Sequence, residues 1–233
     1  MDAGLTAKET KRRLGLIGVK PEELDCVLVT HEHTDHVKGI GAFCRAVGLP
    51  VYLTPKTRAA AESWLGGKLR IMEFEPGAPF MVRDMQVEPF SIPHDAADPV
   101  GFAFHCGGLK VGFATDVGYP NKLLAERLKG ADILVIESNH DPSMLQDGPY
   151  PWYLKQRVAG RQGHLSNEES SRLLAHLAGP KLRHVILAHI SQVNNLPELA
   201  LECALRAIEK VSADHVKAHL AGQNDVSVMV EVC

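Results

Sequence analysis

The stretch that decides the reading of this 233-residue chain is His31-Glu32-His33-Thr34-Asp35-His36. Four of its six side chains are good metal ligands once deprotonated, and they stand too densely for one ion to use them all with ease. With 12 His and as many Asp in the chain, H-x-H-x-D-H arises by chance in roughly one such chain in a thousand. Residues 26–30 read as a buried strand and residues 37–47 as a helix with two glycines, so the run falls on a strand-to-helix turn. In extended chain, residues i and i+2 face the same way. His31 and His33 can then grip one ion, while Asp35 and His36, on the turn, aim at a second point nearby. Two cations about 3.5–4 Å apart fit that arrangement. The helical zincin pattern H-E-x-x-H fails, because Asp35 stands where its second His belongs. The competing reading, a polar turn at a helix start, is the weaker one: clustered imidazoles have no cheap structural use.

A two-metal site needs further ligands, and other strand ends supply them. Residues 85–92 alternate in character and run into His94. Residues 112–116 form an apolar run ending on Asp116, and residues 184–189 form another ending on His189. Each is a weak signal alone, since a lone His is more often a packed or surface residue. Together with the first run they form the ordered set H-x-H-x-D-H, H, D, H.

That set resembles the motifs of metallo-β-lactamase-fold hydrolases, and the resemblance covers essentially the whole chain. Asp2, in Met1-Asp2-Ala3-Gly4-Leu5, matches the first motif, the Asp of a D-x-G turn. The resemblance implies one domain over residues 1–233, an α/β fold built as an αβ/βα four-layer sandwich. Two mixed sheets would pack face to face with helices outside and the metals at one edge between them. It implies that His31, His33 and His94 hold one divalent ion, that Asp35, His36 and His189 hold another, and that Asp116 bridges both. Mixed His and carboxylate ligands accept zinc, manganese or iron. The superfamily normally places two or three strands before the D-x-G turn, yet Asp2 is the second residue here. The expectation is a chain lacking those strands, with one sheet shortened at its edge. Its first helix would begin at a Thr6–Glu9 capping box.

Further stretches narrow the branch. Val135-Ile136-Glu137-Ser138-Asn139-His140-Asp141, Gly148-Pro149-Tyr150-Pro151-Trp152, Gly163-His164-Leu165-Ser166-Asn167-Glu168-Glu169 and residues 187–195 are similar to the YycJ/WalJ branch. Its members are linked to phosphodiester cleavage in DNA. The pair Glu137 and His164 also resembles that of tRNase Z enzymes, in which a Glu orients a His that handles a proton on the phosphodiester. The chemistry stands without the analogy: hydroxide held between two cations attacks phosphorus near neutral pH. A poor alkoxide leaving group then gains about 10²–10⁴ from a nearby acid. His164 is the candidate acid, oriented by Glu137, with Asp35 and the other ligands in the catalytic centre. Ser166 and Glu169 form a capping box for a helix running to about residue 178, so His164 sits at a helix entrance. The alternative for His164 is a solvated helix-entry residue, and His140 nearby has no sharper assignment. The β-CASP nucleases are set aside, because the chain between Asp116 and His189 is too short for their inserted domain. The β-lactamases with Cys at the fourth motif are set aside by Asp116.

Composition bounds the rest. At 45% hydrophobic residues the chain can bury one sizeable core. Residues 75–79 and 141–151 read as loops. No apolar run is long enough to span a membrane, and no hydrophobic h-region follows Lys11, Arg12 and Arg13. Five scattered cysteines, read as core or surface thiols, point to a reducing, cytoplasmic setting. A net charge of −3 argues against a large basic footprint. Positive charge can still be local: residues 148–167 contain no acid, and Lys155, Arg157 and Arg161 lead into His164. These three, with Ser191 and Asn194, are the candidate substrate contacts. Tyr150, Trp152 and Tyr153 interleave as stacking surfaces, against the alternative of a solvated helix face with a buried Trp. The function expected is metal-dependent phosphodiester hydrolysis, as a DNA exonuclease. The rivals are a small-molecule hydrolase acting on an ester, thioester, lactone or β-lactam, and an inactive remnant that binds metal or DNA. Oligomeric state is not legible.

Overall fold

The computed structural model describes residues 1–227 and 229–231. Strands β1 (Val27–Leu28), β2 (Val51–Leu53) and β3 (Ile71–Glu73) form a sheet in the order β1-β2-β3. A second sheet has the order β10-β9-β8-β7-β6-β5-β4. Its strands are β4 (Phe80–Val82), β5 (Met85–Ser91), β6 (Val100–Cys106) and β7 (Leu109–Ala114). They continue as β8 (Ile133–Glu137), β9 (His184–Ala188) and β10 (Lys217–Leu220).

Connection length sets strand direction. β4 to β7 follow one another through short loops and pair antiparallel, whereas β7 to β10 pair parallel. Parallel neighbours need a crossover, and helices supply each one. Before β1 lies α1 (Ala7–Leu16). α2 (Thr34–Val37) and α3 (Ile40–Val47) link β1 to β2, and α4 (Pro55–Ala60) and α5 (Glu62–Leu65) link β2 to β3. α6 (Lys122–Leu128) links β7 to β8. α7 (Pro142–Asp147), α8 (Trp152–Val158) and α9 (Asn167–Leu177) link β8 to β9, and α10 (Pro197–Lys210) links β9 to β10. Both links within the small sheet are therefore helical. This sheet is parallel throughout rather than mixed as expected.

Three apolar clusters mark the three interfaces of the four layers. Val27, Val29, Val51 and Leu53 of the small sheet pack with Ile40 and Phe43 of α3 and Leu65 of α5. The alternate residues Leu28 and Tyr52 point the other way, against Val87, Val100 and Phe102 of the large sheet. The opposite face of the large sheet, with Ala103, Leu134, Ile136 and Val185, packs on Leu124, Leu174 and Ala204 of α6, α9 and α10. Each fully buried Val, Leu, Ile or Phe contributes about 1.5–3 kcal/mol of transfer free energy.

Local signals set the helix boundaries. Thr6 Oγ1 accepts from Glu9 N at 3.2 Å, but the Glu9 carboxylate turns to Arg12 and Arg13 instead of closing the box. The Ser166–Glu169 box is complete. Residues 141–151, expected as loop, contain α7: Asp141 Oδ1 accepts from Ser143 N and Met144 N, and Pro142 suits a first turn that needs no N–H. The helix expected over residues 37–47 is split into α2 and α3, with His33 as the N-cap of α2. Cys44 is buried, Cys106 exposed, and Cys26 and Cys203 lie between, all as free thiols; Cys233 lies outside the described residues. No helix among the described residues is long and apolar enough to cross a membrane.

Candidate metal centre

The ligand-rich run is anchored from outside by Asp2. Its Oδ1 accepts from Thr30 N, and its Oδ2 accepts from the Thr30 hydroxyl, both at 2.8 Å. Oδ2 also lies 3.0 Å from His36 Nδ1. The Thr30 hydroxyl, having donated to Asp2, is left to accept from His31 Nδ1 at 3.0 Å. Both imidazoles thus carry their proton on Nδ1 and turn Nε2 inward. Gly4 completes the turn, because a Cβ there would lie 1.5 Å from the carbonyl oxygen of Asp35. His94 follows the same logic: Nδ1 lies 3.0 Å from Gly163 O, and Nε2 faces His33 Nδ1 at 3.3 Å.

The loops after β1, β5, β7 and β9 bring the seven expected ligands together. His31, His33 and His94 offer ring nitrogens within 4.8 Å of one another, and the Asp35 carboxylate oxygen and the ring nitrogens of His36 and His189 lie equally close together. Asp116 stands between the two groups. Its Oδ2 is 3.5 Å from His36 Nε2, and its Oδ1 is 3.8 Å from His94 Nε2 and 3.4 Å from His189 Nδ1. His31 Nε2 and Asp116 Oδ2 are buried and have no hydrogen-bond partner. Leaving such atoms unpaired is costly, and a cation at the centre would satisfy both. The donor set therefore fits divalent ions at both poles. Asp116 and His189 also adopt left-handed backbone, at φ 59° and 54°, a conformation uncommon for non-glycine residues. Asn139 Nδ2 donates to His189 O at 2.9 Å and helps hold that turn.

The two poles differ electrostatically. Burial, with neighbouring imidazoles adding to it, pushes His31 far below the usual His range, and burial also lowers His94. At the other pole burial works against charge on His36, but Asp2, Asp116 and Asp35 override it and raise its pKa to about 9. His189 is likewise raised, burial being outweighed by Asp116, Asp35 and Glu137, while its hydrogen bond lowers Asp35. One pole holds His31 and His94 neutral, and the other holds protons that a cation must displace.

Comparison with known proteins agrees with this geometry. Residues 1–190 match the Beta-lactamase superfamily domain. The chain belongs to this superfamily. It is 37% identical to the exodeoxyribonuclease YycJ of Bacillus anthracis over 90% of this chain and 80% of that protein. It is 38% identical to the exodeoxyribonuclease WalJ of Streptococcus pneumoniae over 86% of this chain and 76% of that protein. The fold matches that of the metallo-beta-lactamase fold protein YhfI from Bacillus subtilis, with a TM-score of 0.67 and 20% identity over 88% of this chain and 79% of that one. As a member of the superfamily, the chain is a metal-dependent hydrolase.

Beside the candidate ligands stands Glu137, at the end of β8 and fully buried. Its Oε2 accepts from Val117 N at 3.0 Å and Leu165 N at 2.9 Å. Its Oε1 lies 2.9 Å from His164 Nδ1 and 2.6 Å from His189 Nδ1. In sequence Glu137 stood only as the orienter of His164. The structure adds a second contact: the same oxygen also lies against a candidate ligand, because β8 and β9 are neighbours and end level with each other. Burial opposes charge on both partners, yet the pair holds Glu137 below the usual carboxylate range and His164 above the usual His range.

His33, Asp35, Asp116, His164 and His189 line one open cleft of about 550 Å³, with Tyr150, Arg157, Ser191 and Asn194 on its walls. Two expected substrate contacts lie elsewhere. Lys155 is drawn to Gln146 O at 2.5 Å, and Arg161 sits with its guanidinium 4.3 Å from the Tyr119 ring in an adjoining cleft. Arg157 borders both clefts and donates from Nε to Asp95 Oδ2 at 2.5 Å. The Ser191 hydroxyl is engaged by Val193 N and Asn194 N, while the buried Asn194 Oδ1 has no partner. Trp152 is exposed, not buried. His140 is buried beside the His140–Ser166 bridge and does not line the cleft. Sequence reasoning missed the Asp95–Arg157 pair and the bracing amides. Asn195 Nδ2 donates to Ser138 O, Asn139 O and Asn167 Oδ1. That brace ties together the stretches that carried the branch resemblance.

Proposed function

We propose that this superfamily hydrolase cleaves phosphodiester bonds of nucleic acid, as a DNA exonuclease, with His164 as the general acid. The observation that carries the reading is the 2.9 Å contact between His164 Nδ1 and Glu137 Oε1, on the wall of the cleft that the ligand cluster also lines. Two divalent ions, zinc, manganese or iron, would be held by His31, His33 and His94 and by Asp35, His36 and His189, with Asp116 shared. Such ions supply Lewis-acid charge and make water nucleophilic near neutral pH.

The chain's own residues do the rest. With Nδ1 committed to Glu137, His164 has Nε2 left to face substrate. Glu137 favours the charged imidazole, so His164 holds a proton to give to the leaving oxygen. Acids act this way on poor leaving groups, which is why this pair favours a phosphodiester over an activated ester. The names of the YycJ and WalJ relatives support DNA as the substrate. The whole chain acts as one domain, and the free thiols suit a cytoplasmic setting.

The test is hydrolysis of end-labelled DNA and RNA strands with Zn²⁺ and Mn²⁺ compared, beside a chromogenic β-lactam. Progressive shortening of DNA with either metal is the expected result. Turnover of the β-lactam alone would move the small-molecule reading ahead.

A further inference from the structure

α8 is a short helix with an unusual outer face. Trp152 is 70% exposed and Tyr153 is 73% exposed, although large aromatics bury well when a core is near. One turn further on, at i+4 from each, stand the exposed Gln156 and Arg157. These two open onto a cleft of about 620 Å³, in which Arg161 lies over Tyr119. A guanidinium stacked on a ring keeps its edge donors available in its plane. Among the described residues Arg161 makes no ion pair, and the only carboxylate lining this cleft, Asp95, is already paired with Arg157. Arg157 also lines the metal cleft, so the two clefts meet at this residue, and the exposed rings stand one helical turn before it on α8, marking a path from rings to ligand cluster.

We propose that this path is a binding track for the unpaired end of a nucleic-acid strand. A base stacks on Trp152 or Tyr153, the following backbone phosphate is held by Arg161, and Arg157 passes the strand to the metal centre. The inference rests on the phosphodiesterase reading and adds to it which form of the substrate is engaged. Stacking on exposed rings requires a base free of its partner, and a groove that tracks phosphates supplies the remaining affinity. The path also accounts for a protein of net charge −3 that handles a polyanion. Residues 148–167 carry Lys155, Arg157 and Arg161 and no acid, so the charge of this segment is positive.

The chain has two tryptophans, so Trp64→Phe leaves Trp152 as the sole indole reporter. The metal-loaded protein is titrated with a phosphorothioate dT oligonucleotide, which resists hydrolysis, and with a blunt duplex. Binding is followed by anisotropy of a label on the nucleic acid. The expected result is quenching of Trp152 by the oligonucleotide and less by the duplex. Trp152→Ala should weaken oligonucleotide binding by roughly five- to a hundredfold. Arg161→Gln should reduce the slope of log affinity against log salt by about 0.7, the loss of one single-strand phosphate contact. Absence of quenching at saturation, equal quenching by the duplex, or an unchanged slope in Arg161→Gln would overturn the track. Failure of the phosphodiesterase reading is separately visible, as no hydrolysis of a diaryl phosphodiester by the unaltered protein, because strand binding is read without turnover.

Discussion

His164 and His189 are tied to the same atom: Oε1 of Glu137 lies 2.9 Å from Nδ1 of the one and 2.6 Å from Nδ1 of the other. One buried carboxylate thus couples the candidate acid to a candidate ligand. Its second oxygen is fully used by two backbone N–H groups, so the carboxylate cannot rotate away from this duty.

Glu137→Gln therefore acts at both ends. An amide puts a donor in place of one of the two oxygens, and both donors that faced that oxygen lose their acceptor. We expect weaker metal binding at the Asp35/His36/His189 pole by about 10- to 100-fold, together with reduced turnover. A metal titration of the variant checks this. Unchanged affinity at both poles would mean that the His189 contact is incidental.

His164→Ala separates proton transfer from metal binding. His164 belongs to neither three-residue ligand pole, although it also clusters with Asp116, Glu137 and His189. As an acid rather than a ligand it is dispensable for loading, so the variant should retain both ions and its fold, and loss of an ion would instead assign His164 to metal binding. Turnover on an unactivated phosphodiester should fall by about 10²–10⁴, and the loss should shrink on an aryl phosphodiester whose leaving group needs no proton. Equal losses on the two substrates would instead assign His164 to phosphate binding.

Metal loading should depend on pH at one pole. In the metal-free protein His36 has its pKa raised to about 9, above the ordinary value of 6.5. Its interactions thus stabilise the metal-free fold fully below pH 6.5, and that contribution is lost as pH rises through 9. A cation binds the neutral imidazole, so affinity at this pole should weaken as pH falls below 9, with proton release on loading. The His31/His33/His94 pole, where His31 and His94 are held neutral, should change less over that range. Calorimetry in buffers of different ionisation enthalpy measures the protons released per ion.

Gly4→Ala tests the D-x-G turn. The added methyl would lie 1.5 Å from Asp35 O, a backbone atom that cannot yield without moving the ligand run. Overpacking of this kind costs about 1–3 kcal/mol and more where backbone must shift. We expect a lower Tm and weaker loading at the Asp35/His36/His189 pole, measured by thermal unfolding with and without metal. A normal Tm with normal loading would show that the turn adapts.

Much of this molecule was legible before folding because its chemistry is written in dense, local runs. Residues 31–36, with His94, Asp116 and His189 at the ends of apolar segments, stood out as candidate ligands by residue type and strand periodicity, and the family resemblance implied how they divide between two ions. Capping chemistry did the same for Thr6 and Ser166, since a cap depends on residues three apart. Less legible were the surroundings of isolated side chains. Lys155, Arg157 and Arg161 looked alike in sequence, yet one is spent on a carbonyl, one is paired with Asp95, and one lies on Tyr119. A charged side chain on a flexible stem goes where its nearest partner is, and those partners are distant in sequence.

By itself, then, the sequence determined the superfamily, through its motif set, and the candidate donors, because ligand-forming residue types and strand alternation are visible at short spacing. Only tertiary structure decided that the two poles differ in charge, that Glu137 serves two histidines, and that Trp152 faces solvent beside a basic cleft. Each of these depends on which strands lie side by side and which faces are covered. Those contacts join residues dozens of positions apart, and no local pattern encodes them.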